Sequence, residues 1–298
     1  MWNLALHSVS YGGGWGQHRL TVEEFLDRAR DLGFDCVMLM AKRPHLSPWD
    51  LDAEARRRLR DGIEARGLRV ACLAGYNDFT LGIERPDVPM REMQSGYLAE
   101  LARLSADLGA PLLRVFTGFE RDDAPYDTLW RAVVAGLGET ARHAADLGVT
   151  LAVQNHHDVA AHHLSLRDLL EEIDHPNCRA GFDAWTPALQ GEDLAAAVRV
   201  MAPWMVHTTV ADYQRRPRYR YQPQWVQFQQ GLDVMRMVPL GEGCIDYDTF
   251  FATLREVGYR GAVAFEMCAP LLGGGSEENL NATARGFLTA MRERYAGG

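Results

Sequence analysis

Val149 to Asp158 reads VTLAVQNHHD, an apolar, β-branched run that ends abruptly in amide and imidazole side chains. A run that is apolar on both faces fits a parallel strand covered by helices, and its end delivers polar groups to one edge of the sheet. Side chains alternate along a strand, so Gln154 and His156 share one side while Asn155 and His157 share the other. The same design recurs in CRAGFDAWTP from Cys178, WMVHTTVADY from Trp204 and AVAFEM from Ala262. Gln154, Asp183, His207 and Glu266 each fall where a strand gives way to a loop, and four such tips can converge on one metal ion.

Outward from that stretch, short apolar runs alternate with longer amphipathic ones. LALHSVS is followed by a helix start at Thr21, where the threonine N-cap and Glu24 three residues on form a capping box. DLGFDCVMLM, LRVACLAGY and PLLRVFTG read as the next strands, and Gly33, Gly109 and Gly148 stand where helix C-caps are expected. With VTLAVQN, CRAGFD, WMVHTTV and GAVAFEM the count reaches eight strands alternating with helices. The fold class predicted is α/β, a single (β/α)8 TIM barrel over residues 1–298. No G-x-G-x-x-G stands at a strand-to-helix turn, and GGGWG at Gly12 to Gly16 reads as a loop over the barrel mouth.

The 298 residues, 47% of them hydrophobic, can bury one large core. A formal charge of -9 argues against a nucleic-acid surface, which needs a basic stripe. No stretch reaches the roughly 18 apolar residues of a membrane helix, and the N-terminus lacks a basic leader segment, so a soluble cytoplasmic protein is expected. Five widely spaced cysteines without C-x-x-C suggest reduced thiols, and none is assigned to a metal. Lys42 is the only lysine, which restricts Schiff-base chemistry to one residue that reads as a solvated loop charge.

Asp183, His207 and Glu266 supply two carboxylates and an imidazole, and Gln154 can add a carbonyl oxygen. This oxygen-rich set suits one divalent ion, Mn²⁺ first, with Mg²⁺, Co²⁺ or Zn²⁺ as alternatives. Candidate substrate contacts at the same face are His7, Tyr76, Arg114, His157, Trp185 and Asp212, joined by Glu242. Arg218 belongs to them from the long connection Ala211 to about Cys244, where arginines interleave with Tyr219, Tyr221 and Trp225. That loop is expected to cover the site or to meet another subunit, giving a homo-oligomer or a partner complex. GGGS ending at Ser276 reads as a plain N-cap, because Glu277 and Glu278 satisfy the helix dipole themselves.

Q-N-H at Gln154, F-D at Asp183, V-H at His207, G-E-G at Gly241 followed by I-D-Y, and G-Y-R-G-A-V-A-F-E ending at Glu266 carry a family resemblance. Their order over nearly the whole chain resembles the xylose-isomerase-like barrel superfamily, which includes sugar isomerases and epimerases, hydroxypyruvate isomerase, inosose dehydratase and, more distantly, endonuclease IV. The resemblance implies a divalent metal at Gln154, Asp183, His207 and Glu266, with the first and last positions commonly glutamates that exchange protons with substrate. Here the first is an amide, which accepts no proton at neutral pH, so Glu266 becomes the leading base and His156 the leading candidate for the second acid or base, with His157 or His7 as replacements. The histidine that the family often carries just after the Asp183 position is missing from D-A-W-T.

The expected activity is a metal-dependent isomerase or epimerase acting on a small polyhydroxylated substrate, a sugar, keto-sugar or cyclitol. The alternatives are a dehydratase or lyase on a keto-sugar or keto-inositol, including a C-glycoside deglycosidase-like enzyme, and a non-catalytic barrel that binds a sugar or a partner. Endonuclease-like DNA repair is disfavoured by the acidic balance and the single metal cluster.

Overall fold

A computed structural model describes residues 2–85 and 87–295. Seven strands follow the sequence reading: β1 Leu4–His7, β2 Cys36–Met40, β3 Arg69–Ala74, β4 Leu112–Val115, β5 Thr150–Gln154, β6 Cys178–Gly181 and β7 Met205–Val210. Four further strands then form an arm: β8 Asp212–Arg216, β9 Tyr219–Gln222, β10 Gln227–Gln230 and β11 Val234–Val238. β12, Ala262–Phe265, closes a parallel barrel in the order β1-β12-β7-β6-β5-β4-β3-β2.

The helices between the strands owe their ends to local chemistry. In α1, Val22–Leu32, the Glu24 N–H donates to Thr21 Oγ1 at 3.3 Å and the Thr21 N–H donates to Glu24 Oε2 at 2.8 Å, the expected capping box. Gly33 ends that helix at φ 88°, a left-handed conformation that side-chain-bearing residues resist. Phe25, Leu26, Ala29 and Leu32 form its buried stripe against the sheet. α2 Ala53–Ala65, α3 Met90–Asp107, α4 Tyr126–Ala145 and α5 His163–Ile173 repeat the plan. Between β6 and β7 lie a short α6, Trp185–Gln190, and α7, Leu194–Met201. α8 Tyr247–Glu256 leads to β12, and α9 Glu277–Glu293 starts at Ser276, whose hydroxyl accepts from the Asn279 N–H as a plain N-cap.

Inside the barrel, Ala5, Cys36, Cys72, Ala74 and Ala264 form a separate cluster with Met38. Its alanines and cysteines are short and leave room for longer polar side chains nearer the mouth. Outside, the far larger core lies between sheet and helices, where each fully buried Leu or Phe contributes about 1.5–3 kcal/mol.

The long connection read as a loop is instead two antiparallel ladders, β8 with β11 and β9 with β10. Its alternating tyrosine, valine, phenylalanine and methionine residues are strand formers, and Pro223 to Trp225 turns the chain between β9 and β10. Among the described residues, no helix is long and apolar enough to cross a membrane.

Candidate active site

The carboxyl ends of the barrel strands open on a cavity of about 380 Å³. His7 ends β1, Arg114 lies in β4, Gln154 ends β5, and Glu266 follows β12; Tyr213 and Met235 reach the same cavity from the base of the arm.

Gln154, Asp183 and Thr209 form one hydrogen-bonded group. The Gln154 amide Nε2–H donates to Asp183 Oδ2 and, at 3.2 Å, to Thr209 Oγ1. Asp183 Oδ1 accepts the Thr209 backbone N–H at 2.7 Å. Asn155 clamps the Asp183 backbone from both sides, accepting its N–H at 2.8 Å and donating to its carbonyl at 3.1 Å. Burial, then the neighbouring Glu266 charge, pushes the Asp183 carboxyl up to about 7.

On the facing wall, His7 Nδ1–H donates to Glu266 Oε2 at 2.9 Å, with both side chains buried. Burial holds the His7 imidazole below its ordinary value, so near neutrality the ring is neutral. Burial raises the Glu266 carboxyl, but the His7 hydrogen bond and the positive charge of Arg114 outweigh it and leave Glu266 below the usual range. The pair is therefore a neutral imidazole donating to a carboxylate. The Cys268 thiol lies 3.4 Å from Glu266 Oε1 and 3.0 Å from the Tyr213 hydroxyl, and burial keeps it protonated.

Arg114, 3% exposed, carries its guanidinium over the rings of Phe116 at 3.9 Å and Tyr76 at 4.7 Å. Its Nε and Nη1 have no hydrogen-bond partner among the described residues. Lys42 is exposed along its chain, yet its ammonium stands 3.9 Å from the Tyr76 ring centroid at the cavity rim. Strand alternation stops at Gln154, so both His156 and His157 reach the cavity. Burial, then Arg114, lowers His156; burial with His156 and Arg114 pushes His157 down to about 3.

Of the expected substrate contacts, His7, Tyr76, Arg114, His157 and Trp185 line this cavity. Asp212, Arg218 and Glu242 do not. Asp212 Oδ2 accepts the N–H groups of Gly241 and Gly243, both at 2.9 Å, so it ties the arm to the G-E-G turn. Glu242 is exposed on that turn, and Arg218 is exposed between β8 and β9. The structure adds Thr209, Tyr213, Met235 and Cys268 to the site, and with them Lys42, which reads in sequence as a solvated loop charge and instead lines the cavity.

The four expected metal ligands are not gathered. His207 lies below the mouth, with Nε2 at 3.4 Å from Met38 Sδ and Nδ1 without a partner among the described residues. Asp183, His207 and Glu266 do not bring three donor atoms within 4.8 Å of one another; among the described residues only His162, His163 and Glu192 do so. That rim group is a possible His/Glu site, although His162 Nδ1 accepts the Leu164 N–H at 3.2 Å. This bond leaves Nε2 as the ring nitrogen that faces Glu192. At the barrel centre, Gln154 presents a donor rather than an oxygen, and both Asp183 oxygens already accept protein N–H groups. The donor set as arranged does not fit a divalent ion.

A closed parallel barrel with a carboxylate–imidazole pair and a buried guanidinium at its carboxyl-terminal mouth has the architecture of the barrel enzymes. The chain belongs to the xylose isomerase-like TIM barrel family, whose model matches residues 26–291. It is 23% identical over 248 residues to a ketose 3-epimerase of Arthrobacter globiformis, covering 81% of this chain and 75% of that protein. Identity is 27% over 262 residues to an L-ribulose-5-phosphate 3-epimerase of Escherichia coli O157:H7, covering 82% of this chain and 81% of the relative. The fold matches the crystal structure of a D-psicose 3-epimerase from Clostridium cellulolyticum H10 with a TM-score of 0.74 at 16% identity, over 98% of each chain.

Proposed function

We propose that the protein is a ketose epimerase or isomerase that moves the proton on the carbon beside the substrate carbonyl. The observation that carries this reading is the Glu266 carboxylate, held at 2.9 Å by neutral His7 and opening on a sugar-sized cavity. The epimerase relatives support the same class. An ionised carboxylate at that point takes the proton as the C–H bond breaks, and the electron pair moves to the carbonyl oxygen. His156 reaches the cavity from β5, three strands around the rim from β12, and is assigned the proton transfer on the other side. Aromatic faces at Trp185, Phe116 and Tyr213 fit the apolar flank of a sugar and exclude water.

In the related sugar enzymes a divalent ion would polarise the carbonyl; here Gln154, Asp183, His207 and Glu266 are not disposed to hold one, and no step is assigned to it. The relatives named above are epimerases, so the lyase alternative gains nothing from them. Ketopentoses, ketohexoses and their phosphates incubated with the enzyme in D₂O test the reading by NMR. Deuterium is expected at carbon 3 together with the epimer, and Glu266→Gln should slow this by about 10²–10⁴-fold. Exchange that Glu266→Gln leaves untouched would remove the assigned base. Sugar binding without any exchange would make the protein a binding barrel.

A further inference from the structure

The family resemblance leads one to expect a metal at the barrel centre, and the side chains there are arranged otherwise. Amide nitrogen and oxygen exchange places on rotation of a glutamine, so the orientation of Gln154 has to be argued from its neighbours. Its amide faces Asp183 Oδ2, an acceptor, and the Thr209 hydroxyl, which can accept. Turning the oxygen inward would set it against a carboxylate oxygen whenever Asp183 is ionised, so in that state Nε2 belongs there. Asp183 then has Oδ1 filled by the Thr209 N–H and Oδ2 by Gln154, while Asn155 fixes its backbone. A metal ligand needs free lone pairs pointing at a common centre. His207 offers none at the mouth, and Glu266 is engaged by His7.

Positive charge is nonetheless present. Arg114 is buried, has two N–H-bearing nitrogens without partners among the described residues, and lines the cavity, with the Lys42 ammonium against the same Tyr76 ring. A guanidinium with free donors stabilises an oxyanion as it forms, because the donors are already fixed in place. We propose that this barrel works without a metal ion at its centre: the Gln154 amide and Thr209 satisfy Asp183 where a cation would bind, and Arg114 supplies the charge that receives the enediolate oxygen. As the substrate C–H bond breaks, the proton goes to Glu266, its electron pair forms the carbon–carbon double bond and the carbonyl π pair moves to oxygen, which is met by the Arg114 N–H groups; a proton delivered through His156 to the opposite face of that carbon returns the electrons and gives the epimer. The consequence for catalysis rests on the epimerase reading, whereas the metal statement is tested by binding alone.

Full-length protein, stripped with a chelator, is titrated with Mn²⁺ by calorimetry, in parallel with Asp183→Asn and Gln154→Glu. All three are also made in a His163→Ala background, which separates uptake at the rim group of His162, His163 and Glu192. Wild type and Asp183→Asn should give the same curves. Gln154→Glu, which puts a carboxylate beside Asp183 and Glu266, should bind Mn²⁺ about tenfold or more tightly than wild type. One equivalent bound by wild type and lost in Asp183→Asn overturns the proposal. A measurement on wild type alone guards against misfolded variants: in spectra of ¹³C-methyl methionine, Mn²⁺ at the centre would broaden Met38, beside His207, and Met235, on the cavity wall. Unbroadened signals support the metal-free centre, and joint broadening of these two overturns it. Either result leaves the epimerase reading to stand or fall on the exchange assay.

Discussion

His207 and Thr209 stand two positions apart on β7, and the difference between them decides the chemistry of the site. Both point to one side of the strand, so sequence alternation cannot choose between them. In a tilted barrel, however, the hydrogen-bonded line through neighbouring strands changes height around the axis. His207 is in register with Gly181 and with Ala262, the first residue of β12, and lies deep; Thr209 is level with the side chains of Gln154 and Asp183. V-H marks the strand that reaches the site, and it is Thr209, two residues further on, that meets Gln154 and Asp183. Burial, then the charges of His7 and Arg114, pushes His207 down to about 3, below the 6.5 of a free imidazole. The folded protein then binds fewer protons here than the unfolded chain between those values. This group's contribution is complete above about pH 6.5 and is lost as pH falls toward 3, with a limiting slope of about 1.4 kcal/mol per pH unit. His207→Met, apolar beside Met38, should cost less than about 1.5 kcal/mol at pH 8 and become more stable than wild type at pH 5. Urea unfolding at both pH values checks it, and equal acid sensitivity of the two proteins would sink it. Arg114 makes the opposite case, because it was legible as a strand-end cation while its lack of a partner was not. Arg114→Met should lower kcat on an accepted ketose by about 10²–10³-fold with a smaller change in KM, if its donors act on the forming oxyanion.

The elements were readable wherever local chemistry fixed their ends. The Thr21 capping box, the left-handed glycines after helices and the Ser276 cap are all statements about adjacent residues, and the structure has each. The segment after β7 escaped that reading because its strands pair with each other and not with the barrel. Its polar and arginine-rich alternation resembles a loop until the partner strand is known. Asp212 and the G-E-G turn show the same limit, since a joint made by residues 29 and 31 positions apart looks in sequence like a substrate contact. A Cβ built on Gly243 would lie 1.9 Å from Asp212 Oδ1, so Gly243→Ala must displace the carboxylate that holds the arm. It is expected to destabilise by about 1–3 kcal/mol in thermal or denaturant unfolding. Glu242→Ala, on the exposed middle residue, should change stability by less than about 0.5 kcal/mol and leave substrate affinity alone. A large affinity loss in Glu242→Ala would restore it to the site.

At the scale of the whole molecule, the eight-fold alternation of strand and helix made the barrel legible, whereas the arm stands outside that repeat and needs its own account. Its base belongs to the cavity through Tyr213 and Met235, and its outer part does not. Trp225, Val226 and Phe228 are 76%, 79% and 60% exposed, large apolar side chains close together in sequence at the tip of the arm. From Tyr213 to Met237 the arm carries five arginines and one aspartate, while the chain as a whole has a formal charge of -9. A basic, aromatic projection on an acidic body is complementary to the body of a second copy, and self-association would also cover the free edges of β9 and β10. Sedimentation of wild type should therefore give a mass above that of one chain. The double change Trp225→Glu with Phe228→Glu should return it to a monomer without altering the unfolding midpoint of the barrel, since both side chains lie outside its core. Because Tyr213 and Met235 remain in place, KM for an accepted ketose should stay within about threefold of wild type. A wild type that sediments as a single chain would remove the association. A KM that rises with unchanged mass would instead make the outer arm part of the cavity's cover, and the division between base and tip would fail.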